Sequence, residues 1–156
     1  MLKRSAHSRN APPQETLEQT IEAYDTAARD AAWQFGQFVF DHGEDTLVSL
    51  DAILEEIHRD LMTPSFRRRI GLGPSDADIE GWANLWGIYL GEVLRARLGG
   101  SWTIGHEEAP NLLALVIDEG TVAFPTARVY RRITEGETAS VVVYFRMFVE
   151  CREASG

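Results

Sequence analysis

Cysteine and lysine are both rare in the sequence, and the cysteine content limits the disulfide bonds that the chain can form. It contains one cysteine, Cys151, and one lysine, Lys3. A single cysteine excludes a disulfide bond within the chain and is typical of proteins from a reducing compartment. Residues 1–13 contain no apolar core of the kind found in secretion signals. We therefore interpret residues 1–13 as a flexible N-terminal arm and expect a cytoplasmic protein.

A long apolar run is also missing. The most apolar stretch, residues 82–94, contains Asn84 and Glu92, and Arg95 and Arg97 follow it closely. A membrane-spanning helix needs about 20 consecutive, mostly apolar residues. The sequence therefore predicts no association with a membrane.

Basic residues are in the minority. The chain has 15 lysines and arginines against 24 aspartates and glutamates, and its net charge is −9. A protein that binds nucleic acid nonspecifically needs a basic surface that displaces counterions from phosphates. The acidity therefore argues against a nucleic-acid partner and favours a basic protein partner.

Catalytic and metal-binding signatures are absent as well. Ser101 and Ser140 lack the Gly-x-Ser-x-Gly pattern of a nucleophile elbow. Glu55 and His58 have the Glu-x-x-His spacing of di-metal helical bundles, but the second copy that such a site requires is missing. Both residues lie off the leucine stripe of their helix, so we interpret them as solvent-facing. We predict no catalytic residue, no bound metal and no cofactor.

The apolar stretch predicts a buried central helix against which the other elements pack. A helix over residues 82–94 is apolar on nearly every side, which is typical of a buried helix. Ser75 and Asp78 have the spacing of a capping arrangement before it. Gly99 and Gly100 supply the backbone freedom that ends a helix.

Two further helices are predicted before the central one, and the short connection between them favours an antiparallel hairpin. The first begins near Gln14 and ends at Gly43, and the second opens at Glu44. Asp25 and Arg29 have the spacing of an ion pair on the outer face of the first helix. Apolar residues recur at three- and four-residue spacing in both helices, and the two stripes are Leu17, Ile21, Tyr24, Ala28, Ala31, Phe35 and Phe38, and Leu47, Leu50, Leu54, Ile57 and Leu61.

Three short strands are predicted after the central helix. Residues 101–105, 111–118 and 121–124 are rich in β-branched and large apolar side chains. Asp118, Glu119 and Gly120 form a tight hairpin turn between the second and the third strand.

Two helices are predicted at the C-terminus. Pro125 begins the first of them and Gly136 ends it, and its outer face carries Arg128, Arg131 and Arg132. Residues 139–152 begin like a strand, but the spacing of their polar residues favours a helix. The sequence thus predicts one α+β domain over residues 14–153, with an N-terminal helical hairpin and a central buried helix, followed by a small antiparallel β-sheet and one or two short C-terminal helices.

One face of the central helix contains the ligand-binding candidates Asn84, Gly87, Gly91 and Glu92, together with Trp102 beyond the end of the helix. Each glycine inside a helix costs roughly 1 kcal/mol relative to alanine, so another group should lie close to the backbone there. In one interpretation a neighbouring helix or the ring of Trp102 fills the glycine notch, and Glu92 pairs with an arginine. In the other, the glycines form the floor of a small cleft whose polar groups are Asn84 and Glu92.

A second candidate site is the loop of residues 63–74. It contains the only run of three consecutive basic residues, the anion-binding candidates Arg67, Arg68 and Arg69, shortly before a helix start. A phosphate loop would also need a preceding strand and a lysine followed by a hydroxyl residue, which are missing here. The arginines can instead pair with acidic residues of the same chain.

Two short sequence patterns and the residues near them resemble those of a known protein family. Residues 86–93 read Trp-Gly-x-Tyr-Leu-Gly-Glu-Val, residues 98–102 read Leu-Gly-Gly-x-Trp, and Phe124 and Pro125 precede an arginine-rich turn. With these features the sequence resembles an uncharacterised bacterial domain family of unknown function over roughly residues 77–149. The resemblance implies a fold and a cellular setting, but it assigns no catalytic residue. The matching residues mark either a shared site or a shared packing unit, and they are Gly87, Gly91, Glu92, Gly99, Gly100 and Trp102.

Two classes of function remain open from the sequence. The first is a non-enzymatic binding protein, for example an immunity or inhibitor-type protein that binds a basic protein partner. It predicts a buried Glu92 and an exposed acidic or aromatic patch on the first helices. The second is a small enzyme or small-ligand binder that uses a cleft around Asn84, Gly87, Gly91 and Glu92. Small size, acidity and the missing catalytic motifs favour the binding protein.

Overall fold

The computed structural model describes residues 14–155, so the predicted arm at residues 1–13 lies outside the described residues. The fold is α+β, as predicted, with helices before and after a three-stranded antiparallel sheet. In chain order the elements are α1 (Gln14–Gly36), α2 (Thr46–Met62), α3 (Phe66–Arg69), α4 (Asp76–Leu98), β1 (Ser101–His106), β2 (Ala109–Asp118), β3 (Thr121–Ala123), α5 (Pro125–Glu135) and α6 (Val141–Ser155).

Helix α4 is the predicted central helix. Its capping box is present, because the Asp78 backbone N–H donates to Ser75 Oγ and the Ser75 backbone N–H donates to Asp78 Oδ2. The helix ends at Leu98 and is followed by Gly99, whose φ of 79° is a conformation that glycine adopts without strain. Ten of its residues are buried, and they are Ile79, Ala83, Trp86, Gly87, Ile88, Tyr89, Leu90, Gly91, Val93 and Leu94.

Helix α1 is shorter than predicted, because it ends at Gly36 and not at Gly43. The chain leaves the helix through Gln37, which has a φ of 57°, and residues 37–42 form an irregular connection to the next turn. The predicted apolar stripe is wrong at Tyr24 and Phe35, which are 36% and 45% exposed.

The predicted surface pair of Asp25 and Arg29 is also wrong. Asp25 is buried, and His42 Nε2 lies 2.8 Å from its Oδ1. Arg29 Nε donates to the carbonyl oxygen of Phe40 at 3.0 Å. Both side chains therefore hold the connection after α1 against the helix. Their partners, His42 and Phe40, are 17 and 11 residues away in the sequence.

The sheet confirms the predicted strands and their turn. Strand β2 lies between β1 and β3, with Trp102 opposite Leu115 and Leu115 opposite Ala123. Asp118 pairs with Thr121 across the two-residue turn. Near its start β2 contains a bulge, since Leu113 pairs with Ile104 and Ala109 pairs with His106.

Helices α5 and α6 have approximately the predicted bounds, but the prediction that Arg132 of α5 lies on the outer face is wrong. Arg132 is only 2% exposed. Its Nε donates to Asp51 Oδ1 at 3.1 Å and its Nη2 donates to Glu55 Oε2 at 2.7 Å. The prediction that Glu55 and His58 face solvent is correct only in part, because both residues are half-buried and His58 Nδ1 donates to the Ile133 carbonyl oxygen at 2.7 Å. These contacts join α2 to α5.

In the described residues, no helix combines the length and the apolar character that a membrane crossing requires.

Candidate functional site

The glycine notch of α4 is filled by other parts of the chain. A Cβ atom on Gly91 would overlap the ring of Trp102, and a Cβ atom on Gly87 would overlap the backbone of Thr126 at the start of α5. Pro125 Cγ lies 3.2 Å from the same position at Gly91. The two glycines thus let β1 and α5 approach the backbone of α4, which is the packing interpretation of the sequence.

Glu92 lies in an ion-pair network at the edge of this contact, and its side chain is 14% exposed. Its Oε1 accepts a hydrogen bond from Trp102 Nε1 at 2.7 Å, and its Oε2 accepts one from Arg95 Nη2 at 3.1 Å. Arg95 Nη1 also donates to both carboxylate oxygens of Glu18 at 3.0 Å. Burial acts to lower the pKa of Arg95, but the carboxylates of Glu18 and Glu92 outweigh burial and raise it. The network joins α1, α4 and β1.

Asn84 lies elsewhere, in an open groove between α4, β2 and α5 with a volume of about 450 Å³. Asn84 and Glu92 are eight residues apart, which is about 12 Å along a helix. The structure does not bring these two side chains together around one cleft. We call this surface the Asn84 groove, and it is lined by Glu80, Ala83, Asn84, Asn111, Leu112, Thr126, Ala127, Tyr130 and Arg131.

The loop arginines lie on the surface around α3. Arg68 lines a hollow of about 520 Å³ together with Asp60 and Asp78, and Arg69 is exposed. The side chain of Arg67 lies outside the described part of the structure. Two carboxylates thus share the hollow with Arg68, and they weaken its attraction for an anion.

A further surface includes none of the candidate residues named from the sequence, although the binding-protein interpretation predicted an exposed acidic or aromatic patch on the first helices. Trp33 and Val39 are 55% and 71% exposed, and both line a hollow of about 390 Å³ at the end of α1. We call it the Trp33 hollow, and its lining residues are Thr26, Arg29, Asp30, Trp33, Phe38, Val39 and Phe40. The available sequence signal was the position of Trp33, which lies outside the apolar stripe of its helix.

The described residues contain no group of three or more histidine, cysteine, aspartate or glutamate side chains that could hold a metal ion.

Comparison with known proteins identifies one family. Residues 75–145 match the family model "Domain of unknown function (DUF3806)". Neither the curated proteins nor the solved structures include a match. The matched segment contains α4, the whole sheet and α5, and with them the Gly91–Trp102 contact and the Asn84 groove, whereas the Trp33 hollow lies outside it. The predicted resemblance to a domain family of unknown function is confirmed over residues 75–145, which match the DUF3806 model.

Proposed function

We propose that the protein is a non-enzymatic binding protein that recognises a basic protein partner through the Trp33 hollow. The observation that carries the proposal is the exposed indole of Trp33 beside the exposed side chain of Val39, at the mouth of a hollow. Tryptophan is enriched among the residues that dominate binding energy at protein interfaces. An apolar side chain of the partner would enter the hollow and contact the indole.

The hollow has a fixed shape, because the connection after α1 is held by hydrogen bonds. Arg29 Nε donates to the Phe40 carbonyl oxygen, and His42 pairs with Asp25. The Phe40 ring stacks on Tyr89 with centroids 4.5 Å apart. A binding surface of fixed shape loses little conformational entropy when the partner binds.

The charge around the hollow determines the kind of partner. Residues 14–48 contain eight acidic residues and one arginine. Asp30 lines the hollow together with Arg29, and Glu22 and Asp41 are exposed on the same part of the chain, whereas Glu44 pairs with Arg146. A basic partner is attracted to such a surface, and complementary charge accelerates association. An immunity or inhibitor-type protein that masks a basic partner is a function of this class.

The burial of Glu92 supports the same proposal. A cleft enzyme would need Glu92 accessible as a base, but both of its carboxylate oxygens accept hydrogen bonds within the chain. Its contacts are those of a structural side chain that fixes Trp102 against α4.

Site-specific crosslinking in an extract of the source cells tests the proposal. A photoreactive p-benzoylphenylalanine replaces Val39 at the rim of the hollow, and in a control it replaces Val143 of α6, which is 54% exposed. We expect a basic protein to crosslink at position 39 and not at position 143, with less product at high salt. Equal products from both positions, or an acidic protein at position 39, would contradict the proposal.

A further inference from the structure

The Asn84 groove is a second surface with the features of a binding site, and it does not depend on the Trp33 hollow. All nine lining residues belong to the segment that matches DUF3806. We propose that this groove binds a small zwitterionic ligand, of the size of a free amino acid or a dipeptide.

The groove has opposite charges on two of its walls. Glu80 projects from α4 and Arg131 from α5. No ion pair involves Glu80 among the described residues, and the Arg131 pair with Glu135 uses only its Nε atom, at 3.0 Å. The two terminal nitrogens of Arg131 can therefore bind a ligand carboxylate, and Glu80 can accept hydrogen bonds from an ammonium group.

Two asparagine amides line the same groove as these charges. Asn84 is half-buried, and within residues 14–155 its amide has no hydrogen-bond partner. Polar groups with reduced access to water are usually hydrogen-bonded, so this amide is suited to a ligand that both donates and accepts. Asn111 lies in the bulge of β2, between the pairs formed by Ala109 and Leu113. Bulges commonly redirect side chains next to binding sites.

Small side chains leave the space that a ligand would occupy. Ala83 and Thr126 are 4% and 5% exposed and line the groove from α4 and α5. Leu112 and Tyr130, each 38% exposed, provide apolar surface in the same groove. The volume of about 450 Å³ lies in the range of small-molecule sites.

NMR titration of the ¹⁵N-labelled protein tests the proposal, because the chain has only three asparagines, at positions 10, 84 and 111. The probes are the standard L-amino acids and L-alanyl-L-alanine, compared with the blocked dipeptide N-acetyl-L-alanyl-L-alanine amide. We expect a zwitterion to shift the side-chain amide signals of Asn84 and Asn111 saturably at millimolar concentration. The blocked dipeptide should bind at least about tenfold more weakly, because each lost charged hydrogen bond contributes about 1.5–3 kcal/mol. A free amino acid and the dipeptide are distinguished by their affinities.

Charge-neutral variants complete the test. Glu80→Gln and Arg131→Gln should each weaken binding about tenfold, while Glu107→Gln and Arg69→Gln, which change exposed residues outside the groove, should leave it unchanged. Thermal melts monitored by circular dichroism show that each variant folds. The proposal is overturned if no zwitterion shifts the two amides, or if the blocked dipeptide binds as tightly as the free one.

Discussion

Trp102 Nε1 donates a hydrogen bond to Glu92 Oε1 at 2.7 Å while its ring covers the backbone of Gly91. One side chain thus makes a polar and an apolar contact with consecutive residues of α4. The indole is 1% exposed. It can occupy this position because Gly91 has no Cβ atom and because the carboxylate of Glu92 accepts its hydrogen bond. This contact joins β1 to the central helix.

The substitution Gly91→Ala should destabilise the protein. Alanine favours a helix by about 1 kcal/mol over glycine, but its Cβ atom would overlap the ring of Trp102. Overpacking of a dense core typically costs about 1–3 kcal/mol, so after the helix gain is subtracted we expect a net loss of up to about 2 kcal/mol in urea unfolding. Gly81→Ala is the matched control on the same helix, because no atom lies within 4 Å of its Cβ position. It should stabilise the protein by about 0.5–1 kcal/mol, and equal effects of both variants would contradict the packing account.

The substitution Glu92→Gln tests the ion-pair network. The amide oxygen can still accept from Trp102, but the charge that pairs with Arg95 is lost. Because this pair is largely shielded from water, we expect unfolding free energy to fall by about 2 kcal/mol. Glu18→Gln changes a carboxylate that is 38% exposed and should cost at most about 1 kcal/mol. A Glu92→Gln variant with unchanged stability would show that Glu92 is not structural.

Stability in acid should depend on Glu55. A hydrogen bond from the buried Arg132 lowers the pKa of Glu55. Because the folded-state pKa lies below the unfolded value of about 4.3, the contribution of Glu55 is present above that pH and is lost as pH falls through the folded-state pKa. Urea unfolding between about pH 6 and pH 3 should therefore show a smaller acid loss for Glu55→Gln than for the wild type. The matched control is Glu56→Gln, an exposed glutamate of the same helix, which should keep the wild-type dependence on pH.

At high pH the sensitive group is Tyr89. Burial raises its pKa, although the hydrogen bonds with Thr46 and with the His42 backbone N–H act in the opposite direction. The neutral hydroxyl thus stabilises the fold below the unfolded-state pKa of about 10, and this contribution is lost as pH rises through the higher folded-state value. Tyr89→Phe should cost about 1 kcal/mol at neutral pH and should reduce the alkaline loss of stability. An identical alkaline transition in the variant would refute the role of Tyr89.

The elements that the sequence predicted correctly are those whose signals are local. The capping box of Ser75 and Asp78, the two-residue turn after Asp118 and the proline at the start of α5 are read from neighbouring residues. The apolar residues of α4 likewise predict, without reference to distant residues, that this helix is buried.

The errors involve partners that are distant in the sequence. Arg132 looks like a surface residue until α2 places Asp51 and Glu55 beside it, 81 and 77 residues away. The early end of α1 depends on Gln37 in a left-handed conformation that favours glycine, in a connection that His42 holds against Asp25. The same difference between local signals and distant partners applies to the candidate sites. The contact of Trp102 with Gly91 could be anticipated from two glycines and a tryptophan, but the Trp33 hollow exists only because the chain turns back after Gly36.

The most direct test of the proposed function is the affinity of the crosslinked partner, once purified, for two alanine variants of equal exposure. Trp33 is 55% exposed and lines the hollow, while Met147 of α6 is 54% exposed and lies outside it. We expect Trp33→Ala to raise the dissociation constant at least about tenfold, as for a central interface residue, and Met147→Ala to leave it unchanged, with both variants as stable as the wild type. An unchanged dissociation constant for Trp33→Ala would contradict the assignment of the Trp33 hollow as the binding surface.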